Sequence, residues 1–143
     1  MRKPDFQNLL KILSRKAPSR PTLFEFFLNG PLYRRLARTE GDDPPSNSLP
    51  WCRQAIRAYT NAGYDYTTVM GSEFASRQDF DEYPWPNPDG CDYSRLDSLR
   101  NDLPDGMKLV VWGPGGVLEN VMMLVGYEPL CYMLLDDPDL ARD

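Results

Sequence analysis

The stretch Lys108-Leu-Val-Val-Trp-Gly-Pro-Gly-Gly-Val-Leu-Glu-Asn120 decides how the chain reads. Lys108 to Trp112 is short, apolar and β-branched at its centre, the composition of a strand. Gly113 to Gly116 is a glycine-proline turn that leads directly into an apolar run ending at Gly126, a helix of about ten residues. A strand passing at once into a helix is half of a βα unit, so neighbouring segments are read for its repeats.

Upstream, Pro104-Asp-Gly106 is a turn, Tyr93 to Leu103 a short helix and Tyr64 to Met70 a second strand closed by Gly71-Ser72. Before that strand, Ser48 is an N-cap and Pro50 a first-turn residue for a helix from Leu49 to Asn61, stopped at Gly63. Trp51, Ala55 and Tyr59 recur every four residues with Cys52 and Ile56 beside them, giving an apolar face. Pro31 opens a helix over 31–38, and Thr22-Leu-Phe-Glu-Phe-Phe27 reads as a buried strand between Pro21 and Asn29-Gly30-Pro31. Residues 4–16 form an amphipathic helix with Asp5 as N-cap and Phe6, Leu9, Leu10 and Leu13 on one face. In the 73–92 connection, Phe80, Tyr83 and Trp85 alternate with Pro84, Pro86 and Pro88, which favours extended backbone packed on the protein's own surface.

Downstream, a further helix spans about Pro129 to Leu135, and Met122, Met123 and Met133 at helical spacing read as core. Asp137-Pro138 then signals a helix start with only Asp139 to Asp143 to follow, so a truncated chain is expected. Strands alternating with helices imply an α/β fold with parallel pairing. Three strands cannot close a barrel, which needs eight and typically about 250 residues.

Composition narrows the function. The 143 residues fit one domain, and 41% hydrophobic content suits a folded protein. A net charge of −5 speaks against a nucleic-acid partner. Arg2, Lys3, Lys11, Arg15, Lys16 and Arg20 gather near the start and read as a solvated face, as do Arg53 and Arg57. No membrane span or secretory leader is read, and Cys52, Cys91 and Cys131 fit reduced thiols in a cytoplasmic protein. With no histidine, neither a Ser-His nor a Cys-His pair nor a histidine metal site can form, and Ser72 has no base beside it.

Three stretches resemble one family: Arg20-Pro-Thr-Leu-Phe-Glu-Phe-Phe27; Phe80-Asp-Glu-Tyr-Pro-Trp-Pro-Asn-Pro-Asp89; and Gly113-Pro-Gly-Gly-Val-Leu-Glu-Asn120 through Gly126-Tyr-Glu-Pro129 to Asp136-Asp-Pro138. Together they are similar to the uroporphyrinogen decarboxylase-like superfamily, which includes corrinoid-linked methyltransferases, and most of all to its uncharacterised branch. The resemblance implies residues 1–143 as the N-terminal portion, about three strands with an extra N-terminal helix, of a (β/α)8 TIM barrel. It implies a parent enzyme of lyase or methyl-transfer type acting on a small molecule. The family's arginine-rich substrate segment corresponds to Phe26-Phe-Leu-Asn-Gly-Pro31, which has Asn29 but no arginine before Arg34. Its aspartate after the second strand has no counterpart in Met70-Gly-Ser-Glu73, and its tyrosine after the third falls near Val121. These departures speak against uroporphyrinogen decarboxylation itself. The family's zinc, held by His-x-Cys and a later Cys, or a corrinoid would belong to the missing half; this segment is assigned no metal or cofactor.

Glu25 is the candidate catalytic residue: a carboxylate inside an aromatic strand is costly to bury unpartnered and should face the barrel lumen near a strand end. The alternative is a structural ion pair. Gly113, Gly115 and Gly116 could present amides to a substrate carboxylate or phosphate, with Glu119 and Asn120 in the helix's first turn. The alternative is a tight turn that needs glycine. Against the enzyme reading stands a shortened, non-catalytic paralogue that oligomerises to cover exposed sheet edges, or an artefact of the gene model.

Overall fold

The computed structural model describes residues 2–26, 28–71, 93–113 and 115–139. Among these residues six helices and two strands follow in the order α1 (Gln7–Leu13), α2 (Gly30–Ala37), α3 (Leu49–Ala62), β1 (Tyr66–Met70), α4 (Ser94–Leu99) with a 3-10 turn at Arg100–Asp102, β2 (Lys108–Trp112), α5 (Val117–Val125) and α6 (Tyr127–Asp136). β1 and β2 pair in parallel, in register from Tyr66 opposite Lys108 to Met70 opposite Trp112. Two compact units divide the chain: residues 1–70 with 92–112, and residues 71–91 with 113–143.

This corrects the expected architecture. The fold is a small α/β domain with a two-stranded parallel sheet among the described residues, and no portion of a TIM barrel is evident. The missing third strand is the 22–27 segment, of which Phe27 lies outside the described residues. Its described part, residues 22–26, enters no ladder, and side-chain hydroxyls take the place of one. The Tyr66 hydroxyl accepts the Glu25 N–H at 2.5 Å and donates to the Glu25 carbonyl at 2.8 Å. Thr68 donates to the Phe26 carbonyl, and the Leu28 N–H donates to the Tyr33 hydroxyl at 3.1 Å. A backbone whose polar groups are satisfied in this way has no need of a neighbouring strand.

Helix boundaries follow capping chemistry. Asn29 accepts the Leu32 N–H at 3.0 Å to start α2, and Ser48 accepts the Trp51 N–H at 3.3 Å to start α3. Gly63, at φ +87°, ends α3 in the left-handed region where a side chain would be strained. α1 is shorter than the 4–16 helix expected, because Ser14 closes it and Arg15 turns to φ +56°.

The core of the first unit is aromatic. Tyr59 and Tyr66 are fully buried with Cys52, Ala55, Val69 and Leu99. Tyr59 packs on Tyr64 at 4.8 Å between ring centroids and on Tyr66 at 5.9 Å, distances at which ring pairs attract beyond their area. Beneath this layer sits Asp65, 1% exposed. Its carboxylate accepts the Asp5 N–H at 2.9 Å and pairs with Arg20 and, at 3.4 Å, with Arg2. Arg2 and Arg20 are therefore structural partners rather than parts of a solvated face; burial of Asp65 is tolerable only because both charges and an amide meet it.

In the second unit, α5 and α6 are joined at Gly126, φ +94°. Leu124 and Leu130 are buried, whereas Val117, Leu118, Tyr127 and Leu135 are exposed. Asp137, expected with Pro138 to start a further helix, instead caps the end of α6; residues 137–139 are not helical, and residues 140–143 lie outside the described residues.

Candidate functional site

Open parallel sheets bind ligands outside the carboxyl ends of their strands, because helix N-termini and loops converge there. In the first unit, a pocket of about 260 Å³ lies at that end of β1 and β2. Met70 and Trp112, the last register pair, form its floor together with Thr68. Tyr33 of α2 and Trp51 of α3 form one wall, edge to face with centroids 5.2 Å apart. Phe26, Ser46 and Asn47 complete the lining.

The polar atoms of these walls serve the frame. The Thr68 hydroxyl joins Phe26 and, at 3.1 Å, Tyr59. Burial raises the Tyr33 phenol above its ordinary value, with its hydrogen bond to the Leu28 amide pulling the other way, so it stays neutral and non-basic near pH 7. Asn47 stands at φ +61°, the left-handed region that asparagine tolerates. Arg95 holds it there, donating to the Asn47 carbonyl at 2.5 Å and to its side-chain oxygen, while its other terminal nitrogen donates to the Met70 carbonyl at 2.6 Å. Behind this joint lies Cys52, its thiol raised by burial and partly offset by the Arg95 charge.

A pocket of this size falls between the roughly 150 Å³ that holds benzene and the 300–1,000 Å³ typical of drug-sized ligands. It fits one or two rings. Among the described residues its lining carries no carboxylate, lysine or arginine, and its aromatic walls can stack a ligand and exclude water. A larger groove of about 470 Å³ runs beside Leu96, Arg100, Leu103 and Lys108. It opens along exposed, charged side chains at the opposite end of β2, where water competes for each contact, so the smaller aromatic pocket is the better ligand site.

The residues singled out from sequence fare differently. Glu25 is exposed, and no hydrogen bond or ion pair reaches its carboxylate among the described residues. The expectation that it faces a lumen is corrected: its segment is not a strand, and its backbone, not its carboxylate, is what the protein grips. Asn29 is committed to the start of α2. Gly113, Gly115, Gly116, Glu119 and Asn120 belong to the second unit. There Glu119 accepts the Gly116 N–H at 2.6 Å and Asn120 donates to the Gly116 carbonyl at 3.0 Å, while Gly115 needs φ +93°. The side chains of Glu119 and Asn120 thus close the first turn of α5, and one of the turn's amides is already taken by the protein's own carboxylate. Phe80, Tyr83, Trp85, Cys91, Ser72 and Pro114 lie outside the described residues.

Sequence reasoning passed over Thr68, Trp112 and Arg95 as site residues and placed Trp51 on a helix's core face. Arg95 carries no local signal, since its partners lie 48 and 25 residues away. Trp112 did have one, as a large aromatic at the carboxyl end of a strand. Among the described residues no group of three or more His, Cys, Asp or Glu could hold a metal, and no helix is long and apolar enough to cross a membrane. No family model, curated protein or solved structure matches the chain.

Proposed function

We propose that the chain is related to the uroporphyrinogen decarboxylase-like superfamily and holds a small organic substrate for a reaction of lyase or methyl-transfer type. The kinship rests on the three sequence stretches and not on the architecture. The single observation that carries the functional part is the aromatic pocket at the carboxyl ends of β1 and β2. Its walls suit an uncharged compound of one or two rings, and its volume disfavours a polycarboxylated tetrapyrrole. The described wall residues include no carboxylate, lysine or arginine, and zinc or a corrinoid has no donor set among the described residues.

Titration with phenol, 2-naphthol and a tetrapyrrole polycarboxylate, followed by NMR at the Thr68 and Met70 methyl groups, tests the reading. Saturable shifts with the two neutral rings and none with the tetrapyrrole are expected. Silence at both methyls with every compound sinks it.

A second reading, a non-catalytic binding module that self-associates, is favoured by exposed Val117 and Leu135. Sedimentation velocity separates the two: a discrete oligomer that binds 2-naphthol without converting any tested substrate supports the module, and a monomer removes it.

A further inference from the structure

We propose that Arg95 is the positioning residue that gives this pocket its shape and its preference for two-ring over one-ring ligands; the proposal rests on the pocket reading above. Arg95 stands on α4, outside the lining, yet its guanidinium ties together two residues that form it. One terminal nitrogen reaches both oxygens of Asn47, and the other reaches the Met70 carbonyl at 2.6 Å. Asn47 belongs to the turn before α3, and Met70 is the last residue of β1. Between them the guanidinium acts as a brace across the pocket mouth, and the Cys52 sulfur lies 3.7 Å behind it.

The geometry asks for arginine in particular. A planar fork meets oxygens on two separate segments from two nitrogens in fixed directions, whereas a lysine ammonium offers its three donors from one freely rotating nitrogen. Asn47 sits in the left-handed region, which asparagine enters at a small cost and which the Arg95 hydrogen bonds help to hold. Releasing the brace lets Asn47 relax to ordinary backbone angles and moves the wall it forms. Phenol, contacting mainly the Trp51 and Tyr33 rings, loses little. A naphthol, filling the pocket to the Asn47 side, loses more.

The experiment measures affinities for phenol and 2-naphthol, by the same methyl shifts, in the wild type, Arg95→Lys, Asn47→Gly and the double variant, with urea unfolding of each. Expected is a loss of about tenfold for 2-naphthol in Arg95→Lys against at most about twofold for phenol. Asn47→Gly keeps the left-handed backbone while removing the side-chain oxygen, so it loses about threefold, and the double variant should lose no more than Arg95→Lys alone. Equal losses for both ligands, or additive losses in the double variant, overturn the proposal by reducing Arg95 to a contributor to general stability. Should Arg95→Lys fail to fold, Asn47→Gly decides: unchanged naphthol-to-phenol preference overturns it. A wild type that binds neither ring removes the pocket reading itself, whereas a wild type that binds both with Arg95→Lys unaltered removes only the role of Arg95.

Discussion

β1 and β2 lie side by side, five residues each, but the more polar of the two is the one that disappears into the protein. β1 reads Tyr-Thr-Thr-Val-Met and is buried through Val69; β2 reads Lys-Leu-Val-Val-Trp, and Val111 is 46% exposed. Hydrophobicity therefore does not rank the strands by depth. β1 packs against α3, whose Tyr59 meets Tyr66 and Thr68, and the hydroxyls of those same two residues reach the 22–28 segment. β2 has β1 on one edge and no strand on the other among the described residues. What surrounds a strand decides its burial: the Tyr66 and Thr68 hydroxyls find partners inside, while the Thr67 hydroxyl is buried without one among the described residues.

The contrast can be broken most severely at Asp65, which anchors the entry to β1. Asp65→Ala strands two arginines and the Asp5 amide; since both arginines keep about a third of their exposure, a loss of about 3 kcal/mol in urea unfolding is expected, at the low end for a buried pair. Next comes the direct comparison. Val69→Ala should cost about 2 kcal/mol and Val111→Ala no more than about 0.5, and equal costs would mean that β2 is covered in solution.

Tyr66→Phe keeps the ring and removes the hydroxyl that serves both backbone groups of Glu25; about 1.5 kcal/mol is expected, together with faster hydrogen exchange at the Glu25 amide. Alkali probes the same feature. Burial, first among the causes, raises the phenols of Tyr59 and Tyr66 above their ordinary value of 10.0. The unfolded chain then ionises first, so stability is full below about pH 10 and falls as pH rises towards the folded values. Phenolate absorbance should appear together with unfolding, and ionisation of all tyrosines in a still-folded protein would contradict their burial. The smallest effect belongs to the second unit, where Glu119→Ala removes a helix cap for about 0.5–1 kcal/mol.

Much of the secondary structure was legible because it is written locally. Ser48, Pro50 and Gly63 bracket α3, and Gly116 and Gly126 bracket α5, within a residue or two of the expected limits. Both observed strands fall inside their expected ranges. The 22–27 segment misled because aromatic composition between prolines fits a strand, while the hydroxyls that replace its ladder come from 41 and 42 residues further on. The expected barrel came from the resemblance, and the two-stranded sheet among the described residues overturns it. The site was less legible still. Glu25 drew notice as a charge among aromatics, but without a strand it simply faces solvent. Tyr33 and Trp51 meet only when α2 and α3 pack together, and no spacing within either helix announces that they share a pocket wall.

The Asp65 junction also bears on how the chain is made. Residues 2–5 end against a carboxylate that lies 60 positions downstream of Asp5, and the Phe6 amide is bonded to the Gly106 carbonyl, another 40 or so positions on. A ribosome adding roughly 5–20 residues per second delivers Asp65 some 3–12 s after Asp5. For that interval Arg2 and Arg20 have no buried anion to meet, and α1, only seven residues long, cannot hold itself together in water. Residues 2–13 are thus synthesised well before the partners that fasten them, and settle only after Asp65 and Gly106 have followed.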